Sequence, residues 1–150
     1  MEWLSQLVSN KILIGSLSAW VVAQILKTIL YAVINKSFDI KRLFGDGGMP
    51  SGHSATVTSM AISCGIVYGF DTGIFAVAAI LAIVVMHDAT GVRFEAGKQA
   101  KIINDLVEHL KDREITDEEK LKELVGHTPL QVLCGALLGA IIAVVINLLF

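Results

Sequence analysis

The sequence predicts an all-α integral membrane protein, a helical bundle with about four transmembrane helices plus short amphipathic helices in the loop between spans three and four. Hydrophobic residues make up 54% of the 150-residue chain and charged residues 17%, against about 25% charged in soluble domains. The mean hydropathy is +0.67. Apolar stretches recur four times with polar loops between them. This length fits a single membrane domain over residues 1–150.

The first span is predicted at about residues 12–34, which is long enough to cross the hydrocarbon core. Residues 1–10 carry apolar side chains on one helical face, which indicates either a short interfacial helix or the lead-in to this span. The start lacks signal-peptide features, so the segment is expected to stay in the membrane. Gln24 and Lys27 interrupt the span on one face. A lysine there either faces protein or snorkels to the interface.

A glycine-rich turn at residues 47–55 precedes the second span, predicted at about 54–70. Its glycines and the following helix start present backbone N–H groups, which suit an anion such as phosphate. Pro50 fits a helix start, and either Ser51 or Ser54 is placed to cap it.

A short turn separates the second span from the third, predicted at about 74–86, so the two form an antiparallel hairpin. A polar helical insertion at 94–125 follows. Apolar periodicity predicts an amphipathic helix over 99–111, and a capping box at 116–119 opens a second short helix.

The last span is predicted at about 130–150 and contains Gly135 and Gly139, spaced as a helix-packing motif. This motif leaves a homodimer open. Four spans place both polar loops on one side of the membrane. Lys11 alone among the lysines and arginines lies on the other side, so the positive-inside rule makes the loop-bearing face cytoplasmic, in the inner or plasma membrane.

Composition also limits the classes of ligand. The net charge of −2 comes without a basic stretch interleaved with aromatics, so no nucleic-acid partner is expected. Cys64 and Cys134 both lie in apolar segments, and we interpret them as small buried residues rather than a disulfide or metal site.

Four titratable residues at helix ends share one membrane face on this topology: His53, Asp88, Arg93 and His127. Lys27 lies near the same level. Two histidines with cations suit phosphoryl transfer without a metal, since cations and N–H groups hold the phosphate oxygens while one histidine attacks and the other protonates the leaving oxygen. A metal site that includes His87 and Asp88 is the weaker alternative.

Each of these residues also has a simpler structural interpretation. His53 fits a polar turn, His127 a helix cap, and Arg93 an interfacial anchor. Their convergence at one face favours a site. For His87 and His109 only the simpler interpretation is kept: an interfacial polar residue and a solvated helix face.

Three blocks resemble a known family. Pro50-Ser51-Gly52-His53 matches the second signature of the type 2 phosphatidic acid phosphatase superfamily, which also contains vanadium-dependent haloperoxidases. The segment 127–132 resembles the second half of its third signature, and Arg93 resembles that signature's arginine, displaced by the insertion. Lys27 resembles the lysine of the first signature, and Arg42 is a loose stand-in for its arginine. Specifically, the chain resembles the small divergent branch of that superfamily, over nearly its whole length.

The resemblance implies a role for each matching residue. His127 would attack phosphorus to form a phosphohistidine, and His53 would protonate the leaving alcohol. The phosphate would be held by Lys27, Arg93, Ser51, Gly52 and Arg42. In the parent family an aspartate orients the attacking histidine, and the matching position here is Gln131. Asp88, from another helix, would take over that orienting role. No metal or other cofactor is implied.

The leading expectation is a membrane lipid-phosphate phosphatase, acting on a phosphomonoester such as phosphatidic acid or a phosphatidylglycerophosphate-like lipid. The amide at Gln131 motivates an alternative, a non-catalytic protein that binds or transports a lipid phosphate in the same pocket. A third interpretation is a structural membrane protein whose polar residues only anchor helices.

Overall fold

The computed structural model describes residues 2–37, 43, 48–111, 116, 120–123 and 125–150. These residues form helices and contain no strand, which confirms the all-α membrane fold. The helices are α1 (Glu2–Val8), α2 (Lys11–Asn35), α3 (Gly52–Tyr68), α4 (Gly73–Thr90), α5 (Val92–Lys111) and α6 (Pro129–Leu149).

The four long apolar helices begin at polar caps that the sequence supplies. Asn10, Ser51, Thr72 and Thr128 each accept a backbone N–H from the first turn of α2, α3, α4 and α6, respectively. Ser51, rather than Ser54, caps α3. The helix therefore starts at Gly52, slightly before the predicted boundary.

In the part of the chain that the structure describes, three helical stretches are long and apolar enough to cross a membrane: α2, the α4–α5 stretch and α6. Helix α3 has 17 residues, or about 25 Å at 1.5 Å per residue. It ends where Gly69 adopts a φ of 103°. Of the four predicted spans, α3 is therefore the short one.

Helix α3 is the centre of the bundle and packs against α2, α4 and α6. Its core-facing residues are small, which lets the backbones approach closely. The largest fully buried side chains among the described residues all belong to this helix or its cap: Ser51, Ser54, Ser59 and Ser63. Successive contacts of Gly135 with Ser51 and Gly139 with Ala55 show that α3 and α6 run parallel.

Gly135 and Gly139 serve this contact between α3 and α6. A Cβ added at Gly135 would overlap the carbonyl oxygen of Ser51, and one at Gly139 would overlap that of Ala55. The packing motif that left a homodimer open is thus used inside one chain.

We expect Gly135→Ala to destabilise the protein by about 1–3 kcal/mol, because the added methyl group has no room beside Ser51. Thermal unfolding of the detergent-solubilised protein measures this as a lowered Tm. Gly73→Ala is the matched control, since a Cβ at Gly73 meets nothing within 4 Å. Equal melting temperatures for the two variants would contradict the close packing of α6 on α3.

The insertion after α4 differs from its prediction. Helix α5 covers the expected amphipathic segment and starts earlier, at Val92. The capping-box residues 117–119 lie outside the described residues, and residues 120–123 and 125 are not helical, so the second short helix is wrong there. The physical reason is that the Asn104 side chain binds both the N–H and the carbonyl of Leu121, at 2.9 Å each. These backbone groups are then not available to a helix of their own.

Candidate functional site

Two backbone hydrogen bonds assemble the site at one end of the bundle. The N–H of His127 donates to the carbonyl of Ala89 in the last turn of α4, at 2.9 Å. The N–H of Ser51 donates to the carbonyl of Gln131 in the first turn of α6, at 3.0 Å. The starts of α3 and α6 and the end of α4 are therefore tied together.

His127 is buried, with 3% of its surface exposed, and its neighbour Gln131 fixes its tautomer. Gln131 Oε1 accepts the backbone N–H of Thr128 at 3.1 Å and lies 3.3 Å from His127 Nδ1. A backbone N–H can only donate, so the side-chain atom of Gln131 that lies between Thr128 N and His127 Nδ1 is the amide oxygen and not the amide nitrogen. In the neutral imidazole, Nδ1 then carries the proton that bonds to this oxygen, and Nε2 carries the lone pair. This tautomer suits a nucleophile at Nε2.

His53 lies in the first turn of α3, exposed, and its ring centroid is 6.2 Å from that of His127. The N–H groups of Ser54 and Ala55 are satisfied by the Oγ and the carbonyl of Ser51. Within the described part of the chain, the N–H groups of Gly52 and His53 have no hydrogen-bond partner. The N-terminus of α3, with its positive dipole end, therefore presents two N–H donors next to His53.

A cleft of about 260 Å³ contains both histidines. Among the described residues, its polar lining also includes Arg93 and Asp88, whose side chains form an ion pair and are 51% and 39% exposed. Its apolar lining comes mainly from α4 and consists of Val84, Val85, Ala89 and Val125. One side of the cleft thus carries the two imidazoles and the Arg93–Asp88 ion pair, and the other side is hydrocarbon-like.

Lys27 lies in a neighbouring cleft of about 250 Å³, not in the histidine cleft. It is 6% exposed. The left-handed Gly48, with a φ of 84°, brings the turn against its aliphatic stem, so that a Cβ there would lie 3.3 Å from Lys27 Cγ. Gln131 lines this second cleft and also contacts His127, so it joins the two clefts.

The other predicted phosphate-binding residues fall into two groups. Ser51 is fully buried, and its N–H and Oγ are both used in the turn. Gly52 is buried against Trp20, to which a Cβ would come within 3.4 Å. Both residues shape the turn that presents His53, and of the two Gly52 alone keeps a backbone N–H without a partner among the described residues. Arg42 lies outside the described residues.

Of the two orienting candidates, Gln131 contacts His127, whereas the carboxylate of Asp88 accepts a hydrogen bond from Arg93. His87 is exposed at the end of α4, and His109 Nδ1 lies 2.7 Å from the carbonyl of Asp105 on α5. Neither lines the histidine cleft.

Sequence reasoning missed two contributors to the site. Val125 lines the cleft, and Asn104 holds the segment that leads to His127. The signal for Asn104 was an amide directly after Ile102 and Ile103 in α5, together with Gly97 and Gly126 on either side of the insertion.

This geometry defines a class: an integral membrane helical protein with a two-histidine, cation-bearing cleft at one end of its bundle. The chain belongs to the Divergent PAP2 family, whose model matches residues 8–142, and this confirms the family resemblance. It is also similar to the uncharacterized membrane protein YuiD of Bacillus subtilis (strain 168), with 38% identity over 156 aligned positions that cover 97% of this chain and 99% of that protein. No solved structure matches the chain significantly.

Proposed function

We propose that this protein is a membrane phosphatase that hydrolyses the phosphomonoester of a lipid through a phosphohistidine intermediate. The observation that carries the proposal is the pair of His53 and His127 rings, 6.2 Å apart, in one cleft with Arg93. Membership of the Divergent PAP2 family supports it.

In the proposed reaction, Nε2 of His127 attacks phosphorus, and the bond from phosphorus to the ester oxygen breaks. His53 gives a proton to the departing alcohol. Water then attacks the phosphohistidine while His53 takes a proton from it, and inorganic phosphate leaves as the phosphorus–nitrogen bond breaks. Arg93 and the two N–H groups of Gly52 and His53 stabilise the charge on the phosphate oxygens.

The apolar lining of the cleft favours a lipid over a water-soluble ester. Val84 lines the histidine cleft and also an apolar groove along α4, which continues through Leu81, Ile80 and Val77. A phosphate held at the histidines would therefore have its hydrocarbon part against α4, at the depth of the bilayer. The excess of Lys and Arg on this side supports a cytoplasmic location of the cleft.

A second candidate function is a protein that binds or transports a lipid phosphate without hydrolysing it. The contact of His127 with the amide of Gln131 favours it. An amide oxygen orients the imidazole but adds no negative charge to stabilise imidazolium, as a carboxylate does.

The test is phosphate release by the detergent-solubilised protein, with phosphatidic acid, phosphatidylglycerophosphate and a water-soluble glycerol phosphate as substrates. We expect release from at least one lipid substrate and far less from glycerol phosphate. Binding of these lipids without release from any of them would favour the second function. If the protein neither bound these lipids nor released phosphate from them, the result would favour the third interpretation, a structural membrane protein whose polar residues only anchor helices.

We expect Gln131→Glu to raise the rate of phosphate release about tenfold, since a charge-assisted hydrogen bond is stronger by about 1.4 kcal/mol than a neutral one. The carboxylate retains the acceptor for the Thr128 N–H, so the cap of α6 is kept. Steady-state kcat on the best lipid substrate measures the effect. A lower kcat with an unchanged Tm would show that the amide is the better partner of His127.

A further inference from the structure

The insertion separates Arg93 from His127 in the sequence, although the proposed site needs the two side chains close together in space. Both line the same cleft although 33 residues stand between them. Arg93 belongs to the first turn of α5. His127 follows residues 120–123 and 125–126, which are not helical and which we call the strap. The contact between α5 and the strap therefore sets where His127 lies relative to Arg93.

The strap runs antiparallel along α5 in close contact. Gly126 lies against Phe94, and a Cβ at Gly126 would overlap the Phe94 backbone. Further from the site, a Cβ at Gly97 would overlap the carbonyl oxygen of Glu123. Both glycines remove side chains that would hold the strap away from the helix.

Asn104 is the buried polar anchor of this contact, with 4% of its surface exposed. Its Nδ2 donates to the carbonyl of Leu121 and to Glu123 Oε1, each at 2.9 Å, and its Oδ1 accepts the N–H of Leu121 at 2.9 Å. Both amide protons and the amide oxygen are thus engaged. A side chain that satisfies both backbone groups of one residue fixes the register of the strap as well as its distance from α5.

We propose that Asn104 is a positioning residue. By binding Leu121 it holds the strap against α5, and it thereby keeps His127, which follows the strap, close to Arg93 at the start of α5. Within the described part of the chain its side-chain hydrogen bonds go to Leu121 and Glu123, neither of which lines the cleft, so it acts through the strap. Its effect on turnover rests on the proposed function, whereas its effect on the place of the His127 ring does not.

The kinetic test compares Asn104→Ala with Gln99→Ala, which removes an exposed polar side chain from the same helix. We expect Asn104→Ala to lower kcat on the order of 10²-fold, the scale of a small displacement of a reacting group, with KM close to wild type. Gln99→Ala should leave both unchanged. Wild-type kcat in Asn104→Ala would overturn the proposal. If that variant does not fold, Asn104→Asp, which keeps the acceptor for the Leu121 N–H, is measured in its place.

A rescue experiment separates positioning from general destabilisation. In Asn104→Asp, the second carboxylate oxygen faces the Leu121 carbonyl and the Glu123 carboxylate, which are both acceptors. Adding Glu123→Gln supplies a donor and removes the charge repulsion, so the double variant should regain part of the lost kcat. Glu123→Gln alone should behave like wild type. A double variant no better than Asn104→Asp would count against the anchor.

A readout without catalysis keeps this inference separate from the proposed function. In protein with ¹⁵N-labelled histidine, the ring signals of His127 are assigned by their loss in His127→Gln. We expect Asn104→Ala to shift or broaden these signals and Gln99→Ala to leave them in place. Unchanged His127 signals would overturn the positioning role, even if the wild-type protein released phosphate. Shifted signals in a protein that releases none would support it and remove only the proposed function.

Discussion

Replacing His127 by alanine is expected to abolish phosphate release, with a loss on the order of 10⁴-fold or more, because the proposed nucleophile is removed. The hydrogen bond from the His127 N–H to Ala89 is made by the backbone, so alanine keeps it. The start of α6 should therefore stay in place while the chemistry is lost. Initial rates of phosphate release and trapping of an acid-labile phosphoprotein measure the two parts of the prediction.

His87→Ala is the matched control for this variant. His87 is also a histidine at the same end of the bundle, but it is exposed and does not line the cleft. Its replacement should leave both the rate and the trapped phosphoprotein unchanged. A His127→Ala variant that still forms the acid-labile phosphoprotein would rule out His127 as the attacking residue. A pair of variants with equal rates would do so as well.

Much of the fold follows from local sequence signals. Caps such as Ser51 and Thr128 and the apolar runs behind them decide where a helix starts, independently of distant residues. The capping box of α6 is an example, since Thr128 and Gln131 satisfy each other's backbone N–H groups within one turn. The end of the bundle at which His53 and His127 meet follows from the order of the spans.

What sequence patterns did not predict is the rotation of each helix and the path of the insertion. Lys27 was expected to hold the phosphate in the same site as the two histidines, but the orientation of α2 about its axis places it in the neighbouring cleft. Hydropathy fixes the length of a span and not which side faces which neighbour, because lipid and protein interior are both apolar. The strap was predicted as a helix because its capping signal is local, whereas the contact of Asn104 with Leu121 joins residues 17 apart in the sequence.

Replacing His53 by glutamine is expected to lower phosphate release from an alkyl lipid phosphate by about 10²–10⁴-fold, the usual contribution of a general acid. The alcohol of such a substrate is a poor leaving group and needs the proton. His53 is exposed in the first turn of α3, and the cap of that turn is made by Ser51, so glutamine should not disturb the helix. Initial rates with a lipid phosphate and with an aryl phosphate measure the effect.

The dependence on the leaving group distinguishes an acid from a residue that only shapes the cleft. An aryl alcohol leaves without protonation, so His53→Gln should slow the first step far less with an aryl phosphate than with an alkyl one. His53 is also the proposed base for the water that hydrolyses the phosphohistidine. That second step should therefore slow in His53→Gln, so that the phosphohistidine accumulates and the aryl alcohol is released in an initial burst. An equal loss on both substrates, without a burst, would mean that His53 acts on binding or shape. The 6.2 Å separation of the two rings would then belong to a binding pocket rather than to a two-histidine reaction.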